Sequence, residues 1–392
     1  MDSIDKMKLL DKVFSPTAPI KEETLFRGRI TQIKRIVEII NEDGQHGIIY
    51  GERGVGKTSL ANITCKSITN TYPVKVTCNS SDNFKSIWIR ALNEVKHTKT
   101  VKGIGFTSTT TDLLVSLGNS LVNKDNVEPH DVTNILRQYP DSNFLFVFDE
   151  FDNIRNATTR QNFADLIKSL SDNSTTIKIL IVGISDNVAD LIGNHRSLER
   201  CLMQIYLPRM SDVEQLEIIE AGFKAADLEI AMQVKNKIVK FSSGFPHYTH
   251  LLCKYAGEIA INEGKEKVSL AHLNKAISKA ISNTSEQLKI AYGKGILSST
   301  KNSQWKSVIY ACALCKSDEF DTFSTHDVLI EFNKLTEKNA TRENITHNLE
   351  KLCQAERGRI LTKLGSGKNV KYKFEHPMMK PYILLNIDNA KE

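Results

Sequence analysis

No stretch of about 18 consecutive apolar residues occurs in the 392-residue sequence, so nothing in it reads as a membrane-spanning helix. The N-terminal MDSIDKMKLLDKVFSPTAP lacks the basic, apolar and small-residue order of a signal peptide. A cytoplasmic protein with no membrane partner is expected. Cysteine is sparse and odd in number, seven in all, which argues against a disulfide framework. The one close pair, Cys312 and Cys315 in YACALC, lies in an apolar helical run with no second pair at zinc spacing. It reads as core, with zinc a poor second. The ten histidines lie in unrelated contexts, so Ser/His/Asp or Cys/His catalysis finds no support. The isolated pair in HYTH, His247 and His250, reads as structural. No repeat of fixed period is present.

Large charge imbalance is also missing: 52 Lys and Arg against 46 Asp and Glu leave a net +6, which permits an anionic partner without demanding one. What is present is ordinary globular material, 40% hydrophobic and 25% charged. The length suggests about two or three domains.

Unalternating apolar runs mark buried strands. HGIIYG, YPVKVTC, FLFVFDE, IKILIVGIS and CLMQIYLP are separated by helical patterns, which argues for an α/β fold with a parallel sheet covered on both faces. RITQIKRIVEII would put Ile30, Ile33, Ile36, Val37 and Ile40 on one helical face. Residues 97–127, rich in Thr and Gly at their start, read only as an insertion or long loop. After Pro208 the strands stop. SDVE (Ser211 to Glu214) has capping-box form and opens a helical stretch running to about Tyr292. GKGILSSTKNS reads as a linker, with a boundary near Ser298. Three helices and a hairpin around Gly-Ser-Gly then make the parts of a winged helix. The expected domains are a tail (1–22), a nucleotide-binding core (23–209), a helical lid (210–297) and a winged helix (298–392).

GERGVGKT fits G-x-x-x-x-G-K-[ST] between a strand and a helix. Glycines let backbone N–H groups turn toward phosphate oxygens, and the following helix adds its positive end. Gly51, Gly54, Val55, Gly56, Lys57, Thr58 and Ser59 are therefore expected to hold ATP. Lys57 would neutralise the β and γ phosphates, and Thr58 would offer its hydroxyl to Mg²⁺. FLFVFDEFD supplies Asp149 as the second Mg²⁺ residue and Glu150 as the general base for water. Asp152 is expected to orient the local loop.

These motifs, with GIS at the end of a strand, HRSLER and the GFP of the helical region, resemble the AAA+ ATPases. The likeness is to their initiator-like branch of origin-recognition and replication-loading proteins, and to related bacterial and archaeal ATPases of mobile elements and defence. It covers nearly the whole chain. The resemblance implies an AAA+ core with a helical lid and a C-terminal winged helix. It places Phe26, in LFRGR, beside the adenine, and Ser185 as the polar sensor of the γ-phosphate, with Asn187 competing for that role. Arg200 takes the arginine-finger position and Arg196 is a weaker candidate; the alternative is a surface Arg200 paired with Glu199 or another acid. Where the family often has Arg after Gly-x-Pro, this chain has Pro246 and His247. Imidazole grips phosphate less firmly, so slow turnover with ATP as a switch ligand is a second expectation.

Arg357, Arg359, Lys363, Lys368, Lys371 and Lys373 share a hairpin segment without an acid, and Arg342 extends the patch. Such a surface suits the backbone of duplex DNA, the alternative being a protein-docking module with a basic rim. Two readings stand: an ATPase that forms homo-oligomers with ATP and engages duplex DNA, or a nucleotide-gated regulatory or sensor ATPase of a bacterial defence or transposition system acting through a partner protein.

Overall fold

The five apolar runs become five parallel strands. The computed structural model describes residues 2–16, 28–68, 71–102, 110–139, 142–173, 176–185, 187–193, 198–297, 304–318, 321–337, 339–365, 367–376 and 378–389. The chain divides into two units, residues 19–207 and residues 1–18 with 208–392. Among the described residues, no helix is long and apolar enough to cross a membrane.

An N-terminal helix, α1 (Ser3–Val13), belongs to the second unit; the first begins with α2 (Ile30–Asn41), β1 (His46–Gly51) and α3 (Lys57–Ser67). It continues through β2 (Tyr72–Thr77), α4 (Phe84–Asn93), β3 (Lys96–Lys102), β4 (Thr110–Ser116), α5 (Asn119–Val122), α6 (Pro129–Leu136) and β5 (Phe144–Asp149). It ends with α7 (Ala157–Asp172), β6 (Lys178–Ile184), α8 (Ala189–Ile192) and β7 (Leu202–Tyr206). The sheet runs β2-β5-β6-β1-β7 with every pairing parallel. Every residue of β5 is buried, which explains the unbroken hydrophobicity of its sequence. Trp88, fully buried, lies 5.1 Å from Phe146, 5.2 Å from Phe148 and 6.1 Å from Phe163, centroid to centroid. This aromatic cluster fixes α4 and α7 against the β5 side of the sheet, and truncating such a side chain costs about 3–5 kcal/mol.

Two sequence expectations shift here. In α2, Ile36 and Ile39 are the buried residues while Ile30 is 64% and Val37 42% exposed. The helix turns Ile39 over Gly47, where a Cβ would sit 2.7 Å from Ile39 Cδ1. And the stretch read as a loop from residue 97 forms an antiparallel hairpin of β3 and β4, with Lys96 opposite Ser116 and Lys102 opposite Thr110. Thr is a good strand residue, which offsets the loop-like composition.

The second unit contains α9 (Asp212–Ala225), α10 (Met232–Ser242), α11 (Pro246–Asn262), α12 (Leu270–Ser282) and α13 (Glu286–Ile296), plus a two-residue parallel pair of β8 (Glu229–Ile230) and β9 (Lys267–Val268). Ser211 caps α9 in a full capping box with Glu214. The polar tail of the sequence reading holds α1, which packs on α9 and α11. Phe14 is fully buried over Gly222, where a Cβ would meet its Cζ at 2.2 Å, and Leu10 lies likewise over Gly257. Lys6 pairs with Asp227 at 3.2 Å and Glu266 at 3.5 Å.

The boundary expected near Ser298 falls outside the described residues. Beyond it come α14 (Trp305–Leu314), α15 (Thr325–Thr336), α16 (Arg342–Leu352), a hairpin of β10 (Leu361–Leu364) and β11 (Lys371–Phe374), and α17 (Met379–Asn389). Phe323 bridges to Tyr372 and so adds a third edge to the hairpin. Three helices followed by this hairpin have the winged-helix order. Cys312 and Cys315 are buried, burial pushes the Cys315 thiol up to about 12, and the described residues contain no His/Cys/Asp/Glu group suited to a metal ion.

Candidate nucleotide site

The loop after β1 is shaped by its glycines. Gly51 has φ +149° and no room for a side chain, since a Cβ would lie 2.4 Å from the Leu207 carbonyl oxygen. Gly54 and Gly56 have φ +89° and +99°, in the left-handed region that costs glycine nothing. Gly56 is the N-cap of α3, so the loop opens directly into a helix N-terminus. Val55 is buried, and Arg29 Nη2 donates to its carbonyl at 3.2 Å. Arg29, itself only 3% exposed, fastens the loop from the segment before α2. Nothing in the sequence alone gives Arg29 this part.

Lys57 folds back over the loop. Its Nζ donates to the carbonyls of Gly51 at 2.9 Å and Glu52 at 2.6 Å. Burial pulls its ammonium down to about 8, against the opposing pull of Asp152, Asp149 and Glu52. A nearly buried cation whose hydrogen bonds go to its own loop carbonyls is chemically suited to a phosphate. Thr58 Oγ1 donates to Asp149 Oδ1 at 3.3 Å, so a hydroxyl and a carboxylate stand together where a hard cation wants oxygen ligands. The donor set therefore fits Mg²⁺ carried by a nucleotide. Ser59 lies in the first turn of α3.

At the end of β5, Asp149 is 3% exposed. Its Oδ1 also accepts from the Glu150 amide at 3.0 Å, and its Oδ2 pairs with Lys75 Nζ at 2.9 Å. Glu150 turns out to solvent with φ +56°, an uncommon conformation for a non-glycine residue. Asn153 Nδ2 donates to its carboxylate at 3.2 Å. Asp152 Oδ1 accepts from the Ile184 amide at 2.8 Å, tying the turn after β5 to the end of β6.

Ser185 follows the Gly51–Ile184 pair of the β1–β6 ladder, one position beyond the start of the loop. Its Oγ lies 2.6 Å from the Asn187 carbonyl oxygen and 3.1 Å from Asp190 Oδ2, its one proton facing both acceptors, while Asn187 Nδ2 donates to the same Oδ2 at 2.7 Å. The two competing sensor residues therefore share one turn. Arg200 stands at the opposite, N-terminal end of the strands: β7 runs parallel beside β1 from the His46–Leu202 pair onward. The six residues of β1 separate it from the loop, roughly 17 Å at strand spacing. Its guanidinium pairs with Asp172, an acid other than the adjacent Glu199. Phe26 and Arg196 lie outside the described residues.

In the other unit, Pro246 opens α11 at its first turn, and Phe245 beneath it carries the Arg209 guanidinium 4.3 Å above its ring. His247 Nδ1 lies 2.8 Å from the Pro16 carbonyl oxygen. The basic hairpin is less bare than its sequence. Lys363 pairs with Glu350 at 2.6 Å and Lys371 with Asp318 at 2.8 Å. Against its partial burial, hydrogen bonds from Lys371 and Thr322 hold Asp318 down at about 2. Arg357 is half buried, 4.1 Å over the Trp305 ring. Arg359 has φ +45° just after Gly358, Arg342 is exposed at the start of α16, and Lys373 lies on β11 opposite Thr362. Lys368 falls in the short turn between the strands, its side chain outside the described set.

The fold has solved relatives. Over 97% of this chain and 98% of theirs, it matches the ORC2 protein of Aeropyrum pernix, solved in ADPNP–ADP complexes, at a TM-score of 0.52 and 15% identity. A Walker-type ATPase of Pyrococcus abyssi matches over 95% of this chain and 99% of that one, at a TM-score of 0.52 and 13% identity. Both likenesses show the shared fold alone. No curated protein matches the sequence. Residues 19–362 match the family described as Novel STAND NTPase 1, and with most of its length inside that match the chain belongs to this NTPase family.

Proposed function

We propose that the chain binds ATP with Mg²⁺ at residues 51–59, hydrolyses it slowly, and serves in the cytoplasm as a nucleotide-gated switch acting through a partner protein. The observation that carries this reading is the meeting of Thr58 with Asp149 at 3.3 Å beside Lys57. Lys57 would exchange its loop carbonyls for phosphate oxygens, regaining a full counter-charge. Thr58 and Asp149 would hold the metal, which when bound neutralises developing charge on the phosphates. Glu150, at the rim and steadied by Asn153, would take the proton from an attacking water. Ser185 would read the terminal phosphate from the turn it shares with Asn187.

The expectation of slow turnover rests on the family resemblance, which often has Arg where this chain has the shorter His247. The partner-protein part is supported by the hairpin, where Lys363, Lys371 and Arg357 already have partners. The setting, defence or transposition, rests on the family resemblance. Measuring ATP turnover with and without duplex DNA at low and moderate salt tests the whole. Turnover that needs Lys57 and ignores DNA is expected.

A second reading has its own support. Arg200 lies too far from its own loop to serve it, so any phosphate it touches would belong to another subunit. Its partner Asp172 is 42% exposed, and exposed pairs exchange readily. ATP-driven homo-oligomers engaging duplex DNA would then show DNA-stimulated turnover, abolished by Arg200→Ala. Contact with about five phosphates would give a slope of log affinity on log salt near −4.5.

A further inference from the structure

Asp149 is almost wholly buried, and an ionised carboxylate in that position is costly unless a cation faces it. Lys75 is that cation. It sits on β2, paired in register with Val147 two positions before Asp149. Its Nζ reaches Asp149 Oδ2 at 2.9 Å and donates to Asn62 Oδ1 on α3 at 2.6 Å. With Thr58 Oγ1 and the Glu150 amide on Oδ1, both carboxylate oxygens are engaged. The Lys75 side chain is 26% exposed, withdrawn enough that water screens the pair less than a surface bridge.

We infer that Lys75 is a standing counter-ion of the metal aspartate and that it weakens the site's hold on Mg²⁺. The inference rests on the reading of residues 51–59 as a nucleotide site. A divalent ion sharing Asp149 with a fixed ammonium meets a carboxylate already half neutralised, and repels that ammonium as it arrives. The chain therefore needs more free Mg²⁺ than a site with an unpaired aspartate, and metal-free nucleotide stays a populated bound state. A purely structural Lys75, one that only orients Asp149, has the opposite consequence: its loss would raise the Mg²⁺ requirement.

The test is binding of a ribose-labelled fluorescent ATP analogue, titrated with Mg²⁺ on the full chain and on Lys75→Met and Lys75→Arg, each against its own metal-free baseline in EDTA. Half-saturating Mg²⁺ is expected to fall about tenfold in Lys75→Met, by removal of a nearby like charge, and to stay near the original value in Lys75→Arg. An unchanged or higher requirement in Lys75→Met overturns the inference. A wild-type chain that binds no analogue with or without Mg²⁺ overturns the nucleotide reading instead. Should Lys75→Met fail to fold, acetylation of the wild-type chain decides. Lys75 modification should speed up with ATP and Mg²⁺ relative to ATP and EDTA, and an unaltered rate would refute displacement of the ammonium.

Discussion

Thr58 and Asp149 touch across an intervening strand: the hydroxyl after β1 donates to the carboxylate ending β5, at 3.3 Å, with β6 between them in the sheet. Two motifs 91 residues apart become one pair of oxygen ligands. Thr58→Ala and Asp149→Asn should each cut Mg²⁺-dependent ATP turnover by about a hundredfold, the scale of losing a preorganised charge-stabilising group. The double variant should lose little more than either alone, because both act through the same ion. Steady-state turnover of the three variants checks this.

Phe14 makes Gly222 obligatory. Gly222→Ala would drive a methyl to within 2.2 Å of the ring, and overpacking of that kind costs about 1–3 kcal/mol. A lower melting temperature and faster protease cutting near residue 14 are expected. Phe14→Leu in the same background should recover part of the loss.

His250 makes the second unit acid-sensitive. It is 4% exposed, neither ring nitrogen has a hydrogen-bond partner, and the Phe14 ring lies 5.9 Å away. Burial, with His247 as the neighbouring charge, lowers it to about 4 from the usual 6.5. Below pH 6.5 the unfolded chain takes up a proton that the folded chain refuses, so stability falls as pH drops from 6.5 toward 4. The loss is about 1.4 kcal/mol per unit. His250→Leu should flatten this slope in pH-dependent melting of that unit. His46, lowered to about 3 by burial and by Lys178, leaves the same trend in the other unit.

Arg200 gives a prediction by its distance. Arg200→Ala should leave ATP affinity of the isolated chain within about twofold, since six strand residues separate it from the loop. Equilibrium binding at low protein concentration reads this. A large loss of affinity there would mean that the residue serves its own subunit.

The parallel core was legible because buried strands need no alternation: FLFVFD could hardly be anything but a strand covered on both faces. The loop and its acidic partner were legible because their chemistry fixes residue types at fixed spacing. Helix α1 was hidden because Lys6, a charged residue, occupies a buried position beside Leu10 and Val13, and its ion pairs with Asp227 and Glu266 come from distant sequence. Lys75 and Arg29 escaped notice for the same reason. A lysine on β2 becomes the partner of Asp149 only through the β2–β5 register, and an arginine becomes a loop clamp only through the path of the chain. The hairpin read as acid-free because Glu350 and Asp318, which neutralise Lys363 and Lys371, lie outside its sequence.

The most direct test of the account is equilibrium binding of ATP with Mg²⁺ to the wild-type chain and to Lys57→Ala. Micromolar or tighter binding by the wild type, weakened at least about a hundredfold by the substitution, is the predicted result, given the value of a charge-assisted contact to phosphate in a buried loop. Equal binding by the two proteins, or none by either, would contradict the claim that this loop is a nucleotide site.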